Sequence, residues 1–164
     1  MKSVAKKIIV LGLGNPLMRD EGVGVYVVER LQKQAEKFPD VEFIDAGTGG
    51  MNVLHLIANR KKAIIVDCAL MGQSPGTIRR FTPDDVKSVK QVSHFSLHDV
   101  DILKVLELSK QLEECPPEVI IFGIEPTKVE QGDTLSPELA ARIDEYAGFV
   151  GKVLVGPSGF GRRF

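Results

Sequence analysis

The chain predicts a three-layer α/β/α fold with a largely parallel central sheet. Short apolar runs alternate along it with segments whose apolar residues recur at helical spacing. That alternation marks parallel strands joined by helical crossovers. The runs are also apolar at consecutive positions, as strands covered on both faces are. With 164 residues and no internal repeat or linker, the expectation is a single domain over 1–155 and a disordered tail, "GPSGFGRRF", over 156–164.

Each element has its own signal. "KIIVLG" (7–12) reads as the first strand, and Gly24, Val27, Val28, Leu31 and Ala35 then recur at helical spacing. "VEFIDAG" (41–47) is the second strand, before a helix through "MNVLHLIANR" with Thr48 as its N-cap. Gly47, Gly49 and Gly50 make a tight turn there. "KAIIVDCA" (62–69) is the third strand, and "GTIRRF" (76–81) an edge strand with Arg79 and Arg80 solvated. Ser96 and Asp99 have capping-box-like spacing, so a helix starts at Leu97 and runs to about Glu113, where "CPP" stops it. "EVIIFGIEP" (118–126) is a further buried strand. "SPELAARIDEYAGFVGKVL" (136–154) opens a helix with Ser136 at the N-cap and Pro137 at the first position.

Composition narrows the class. Hydrophobic residues make up 43% and charged residues 26%, the balance of an ordinary soluble protein. A net charge of -1 argues against a protein that holds nucleic acid by bulk electrostatics. The opening "MKSVAKKIIVLGLG" ends in glycines without a small-residue cleavage site, so it reads as a buried strand and not as a signal peptide. No segment approaches transmembrane length. Cys68 and Cys115 form neither a metal-binding spacing nor a disulfide framework. A cytoplasmic, monomeric enzyme is expected, with no nucleic-acid or membrane partner.

Sites in such sheets form at the carboxyl ends of the strands, and that is where the acids fall. The first strand leads to Asp20 and Glu21, the second ends in Asp45, the third in Asp67 and the late strand in Glu125. His98, in the first turn of the helix that feeds the late strand, enters near the same edge. One imidazole with two or more carboxylates suits a divalent metal. Each acid also has a plainer role: Asp45 before "GT" fits a loop cap, and Asp20 fits a cap on the following helix. His94 and His98 are four apart, but a cap at Ser96 leaves His94 outside the helix. His55 reads as a partly buried structural histidine.

The stretch "GLGNPLMRDEGVGV" (12–25) begins like a phosphate-cradling loop. It lacks the third glycine of a dinucleotide fingerprint, and its acids would repel a pyrophosphate. "GLGNP" is also similar to the opening of peptidyl-tRNA hydrolases, but "MRDEGVG" stands where that family carries its catalytic histidine. The whole pattern resembles the hydrogenase maturation proteases. It includes "DEGVGV" (20–25), "DAGTGGM" (45–51), "IIVDCA" (64–69), "PGTIRRF" (75–81), "SLHDVDIL" (96–103) and "GIEP" (123–126), in that order along nearly the whole chain.

The resemblance implies an endopeptidase that trims the C-terminal extension of the large-subunit precursor of a nickel–iron hydrogenase. It also implies that nickel already inserted in that precursor is the recognition signal, although another divalent metal could occupy the site. The family's metal-site residues map onto Glu21, Asp67 and His98, which would hold the metal and serve catalysis, with His94 a minor rival. Two other readings are carried beside it. One is a cysteine-type peptidase using Cys68 as nucleophile, His98 as base and Glu21 as orienter. The other is a nickel-sensing maturation chaperone that binds the precursor without cutting it.

Overall fold

The computed structural model describes residues 6–86 and 102–155. Five strands, β1 (Ile8–Gly12), β2 (Val41–Asp45), β3 (Lys62–Cys68), β4 (Ile78–Phe81) and β5 (Glu118–Ile124), form one sheet in the order β2-β1-β3-β5-β4. All pairings are parallel except that of β4, which runs antiparallel to β5 at the edge. The named helices are α1 (Val23–Gln32), α2 (Met51–Ile57), α3 (Ile102–Gln111), α4 (Pro137–Ala140) and α5 (Ile143–Val155). Among the described residues, no helix is long and apolar enough to cross a membrane.

Successive strand side chains point to opposite faces, and the core divides accordingly. Ile9, Leu11, Ala63, Ile65, Val119 and Ile121 pack with α2 and α3 on one face. Val10, Ile64, Val66, Ile120 and Phe122 pack with α1, α4 and α5 on the other. Strands with apolar residues at consecutive positions thus become the middle of three layers. The expected α/β/α sandwich is what forms, and Arg79 and Arg80 of the edge strand are exposed.

Four local expectations differ from the structure. Thr48 does not cap α2, which starts at Met51 after Gly50 with no side-chain cap. Gly47, Gly49 and Gly50 take positive φ values of 58°, 89° and 78° and carry the turn past Thr48. His55 is exposed, because α2 buries Val53, Leu54 and Ile57, and a residue two places from Val53 lies on the other side. The helix expected over 136–154 is two, α4 and α5. Ser136 and Pro137 open the first as anticipated, yet the Ser136 hydroxyl makes no cap bond to the helix. At the break, Arg142 reaches back so that its Nη1 donates to the Gly76 carbonyl at 2.6 Å. Finally, α3 ends before Glu113, which takes a left-handed φ of 58°. Its N–H bonds the Lys110 carbonyl and that of Glu114 bonds Ser109, both at 3.0 Å, closing the helix as a Schellman turn. The Ser96 cap, the start of that helix and the 156–164 tail lie outside the described residues.

One contact positions everything at the carboxyl edge. Gly24, in the first turn of α1, lies so close to the sheet that a Cβ there would sit 2.1 Å from the Val66 carbonyl oxygen and 2.7 Å from that of Leu13. Both obstacles are backbone, so α1 itself would have to move. Alanine normally improves a helix by about 1 kcal/mol over glycine, but overpacking costs about 1–3 kcal/mol or more. Gly24→Ala is therefore expected to destabilise the fold by about 2 kcal/mol or more. Gly148→Ala in α5, with nothing within 4 Å of the new Cβ, should stabilise it by about 0.5–1 kcal/mol. Urea midpoints of the two variants check the pair, and shifts of the same sign would contradict the close-packing argument.

Candidate active site

The chain runs from β1 outward to β2, then crosses back to β3 on the other side of β1. The carboxyl ends of β1 and β3 therefore flank a topological switch point, the crevice where open α/β sheets bind ligands. Gly12 pairs with Asp45 on one side and Val66 on the other, so β1 and β2 end level while β3 runs two residues further, through Asp67 to Cys68.

Two of the candidate acids come from these two strands. After β1 the chain passes Gly14, whose φ is +136° and whose added Cβ would lie 2.0 Å from the Glu21 carbonyl oxygen. Such an approach folds the 3-10 turn Arg19–Gly22, and Glu21 with it, back over the end of β1. Asp67 is the penultimate residue of β3, fully buried. Its Oδ1 accepts the Cys68 N–H at 2.8 Å. Cys68 reports on the surroundings. Burial first, then the negative charges of Asp67, Glu21, Asp20 and Glu125, push its thiol far above the usual range. Four of the five strand-end acids thus act on one sulfur, as an acidic edge requires. A thiol held protonated in this way is a poor nucleophile, which counts against the cysteine reading.

The remaining acids have structural roles. Asp20 is fully buried and does not cap a helix. Its Oδ2 accepts the N–H groups of Thr127 and Lys128, both at 2.9 Å, and the Ser136 hydroxyl at 2.8 Å. Its Oδ1 accepts the Ser136 N–H at 2.7 Å. Burial alone would raise this carboxyl, but the donors from Ser136, Lys128 and Thr127 outweigh it and hold the pKa below the ordinary value. Glu125, buried just after β5, accepts the N–H groups of Met71 and Gln73 at 2.8 and 3.0 Å and so ties down the loop after β3. Asp45 is exposed and accepts the Gly47 N–H at 2.8 Å, the loop-capping role its sequence context suggested.

His98 and His94 lie outside the described residues. Among the described residues, no three of His, Cys, Asp or Glu are grouped so as to hold a metal ion. Glu21 and Asp67 offer two oxygen donors, a set that fits part of a divalent-cation shell. The clamp on Asp20 has no signal in the sequence, since its partners are 107 to 116 residues away.

Comparison with known proteins identifies the family. A family model described as HycI, hydrogenase maturation protease, matches residues 25–152, a stretch that begins after Glu21. The hydrogenase 2 maturation protease of Escherichia coli (strain K12) is 34% identical over 140 residues, 84% of each chain. The hydrogenase expression/formation protein HupD of Thiocapsa roseopersicina is 32% identical over 138 residues, 84% of this chain but 62% of that protein. This chain therefore spans less than two thirds of that longer relative. Among solved structures, the hydrogenase maturating endopeptidase HybD from E. coli superposes with a TM-score of 0.80 at 31% identity, covering 93% of this chain and 94% of that one. With the family model spanning most of its length and such relatives across more than four fifths of it, the chain belongs to the hydrogenase maturation protease family.

Proposed function

We propose that this protein is the endopeptidase that removes the C-terminal extension of a nickel–iron hydrogenase large-subunit precursor after nickel insertion. Glu21, Asp67 and His98 are the residues assigned to meet the metal. The observation that carries the reading is that Glu21, in the 3-10 turn after β1, and Asp67, near the end of β3, belong to the chain segments that flank the switch point. The relatives named as hydrogenase maturation proteases support the substrate class.

Donor chemistry suggests how recognition works. Two carboxylates and an imidazole, with no thiolate, form too small and too hard a set to hold nickel tightly alone. A precursor that brings its nickel with its own ligands completes the shell, so cleavage is gated by metal loading. Bound nickel supplies Lewis acidity toward a carbonyl or water oxygen. The chain's own part is positional. The glycine-packed turn holds Glu21 over the end of β1, and Asp67 is the penultimate residue of β3, the strand paired with β1. The precursor's extension is thereby fixed relative to the metal before the bond is cut. Cys68, with its thiol kept protonated, fills space against the core.

Purified protein mixed with precursor made with and without nickel should trim only the nickel-loaded form, read as the mass of the large subunit. Equal trimming of both forms would remove the gating, and binding without any loss of mass would make the protein a chaperone. Glu21→Gln and Asp67→Asn keep size and remove charge, so each should lower trimming by about 100-fold or more while leaving the far-ultraviolet spectrum intact. Full activity of Asp67→Asn would remove the site.

Cys68→Ser should trim at close to the wild-type rate, at a stability cost of about 1–2 kcal/mol for a buried hydroxyl. Loss of cleavage in folded Cys68→Ser protein would revive the cysteine mechanism. Between the histidines, His98→Ala should abolish trimming and His94→Ala should slow it less than tenfold. The reverse order of effects would reassign the imidazole.

A further inference from the structure

We infer that Asp20 is the positioning residue of the site: its buried carboxylate locks the turn that carries Glu21 onto the loop between β5 and α4. The inference rests on the reading that Glu21 acts in cleavage, and it assigns a role to the neighbouring acid that touches neither metal nor substrate. Asp20 accepts four hydrogen bonds from three residues of that loop, Thr127, Lys128 and Ser136, all between 2.7 and 2.9 Å. Three further backbone bonds run alongside. Gly132 donates to the Leu17 carbonyl at 2.9 Å, Arg19 to that of Gly132 at 3.0 Å, and Asp20 to that of Lys128 at 3.3 Å. The turn is thus held between two rigid bodies: α1 packed on the sheet through Gly24 on one side, and the loop leading into α4 on the other.

The chemistry of the clamp explains why it needs a carboxylate. Both oxygens of Asp20 face backbone N–H groups, and each therefore has to accept. An asparagine offers one oxygen and one NH₂ group, so in either orientation a donor would point at a donor. A glutamate carries an extra methylene into a position with no exposed surface. Hydrogen bonds to an ionised acceptor are also shorter and roughly twice as strong as neutral ones. A residue one peptide bond from Glu21 and fixed this firmly sets where the Glu21 carboxylate stands.

Asp20→Asn, Ser136→Ala, Glu21→Gln and Ile57→Ala test the assignment. The last serves as a destabilised control: Ile57 is fully buried at the end of α2, where the chain leads to the amino end of β3. Each protein is assayed well below its unfolding midpoint on nickel-loaded precursor. Asp20→Asn should lower the trimming kcat at least tenfold with KM changed less than twofold. Ser136→Ala, which removes only the hydroxyl donor, should lower kcat about two- to fivefold. Ile57→Ala should keep the wild-type kcat. Amide hydrogen exchange in the full chain gives a readout independent of activity: the amides of Thr127, Lys128 and Ser136 should exchange at least tenfold faster in Asp20→Asn, beyond the change seen in Ile57→Ala.

Should Asp20→Asn fail to fold, Ser136→Ala decides the matter by the same two measurements. A wild-type kcat in folded Asp20→Asn or in Ser136→Ala overturns the inference, as does an equal loss in Ile57→Ala. Unchanged exchange at the three amides overturns the clamp itself. A fully active Glu21→Gln beside an impaired Asp20→Asn would instead refute the assignment of Glu21, so the two failures are distinguishable.

Discussion

The first turn of α1 lies directly on the paired ends of β1 and β3, backbone against backbone. Gly12 and Gly24 face each other there: an added Cβ on Gly12 would lie 2.5 Å from the Gly24 carbonyl oxygen, and one on Gly24 would lie 2.1 Å from that of Val66. With no side chains between them, the helix enters at the crevice rather than above it, and the preceding 3-10 turn has nowhere to go but over the end of β1. In a dinucleotide-binding loop, comparable glycines let the backbone approach a pyrophosphate. Here the space they leave is filled by the carbonyls of Leu13 and Val66. The same residue type thus serves packing, and the loop presents an acid where the other would present amides.

Much of this architecture is written locally. β1, β3 and β5 are legible because four to six consecutive apolar residues leave no polar face for solvent, which requires cover on both sides. The edge position of β4 follows from its adjacent arginines, both exposed. Helix boundaries are less legible because they depend on single backbone conformations. Three glycines at positive φ delay α2 past Thr48, and a left-handed Glu113 closes α3 without the glycine that usually marks such a cap. The break between α4 and α5 carries neither glycine nor proline. There Arg142 is drawn instead to Gly76, 66 residues away, where the Tyr146 hydroxyl also donates at 2.6 Å.

The candidate site divides along the same line. That acids would collect at the carboxyl edge follows from strand order alone, and Cys68 senses Asp67, Glu21, Asp20 and Glu125 together. Which acid does what does not follow. Asp20 and Glu21 are adjacent, equally charged and on one turn, yet one is fully buried under four hydrogen bonds and the other is half-buried beside the crevice. The difference is made by Thr127, Lys128 and Ser136, over a hundred residues on. Glu125 is likewise committed to Met71 and Gln73, more than fifty residues back. Local sequence can report that a carboxylate is present. Only the tertiary structure supplies the donors that turn it into a clamp.

That division also explains how the fold tolerates so much negative charge at one edge. Like charges gathered at one edge repel one another, and backbone N–H groups meet several of these carboxylates, Asp67 through the Cys68 amide among them. Asp20 receives three such donors and a hydroxyl, and Glu125 receives two. Those hydrogen bonds hold the loops on either side of the crevice. Glu21 follows β1 in the 3-10 turn and Asp67 lies near the end of β3, the two strands that flank the switch point. Asp20 and Glu125 are thus committed to holding loops, and a cationic centre on the substrate is the proposed complement of Glu21 and Asp67. Under that proposal the precursor is selected for what it carries: a loaded metal brings positive charge to an acidic edge, and an unloaded precursor brings none.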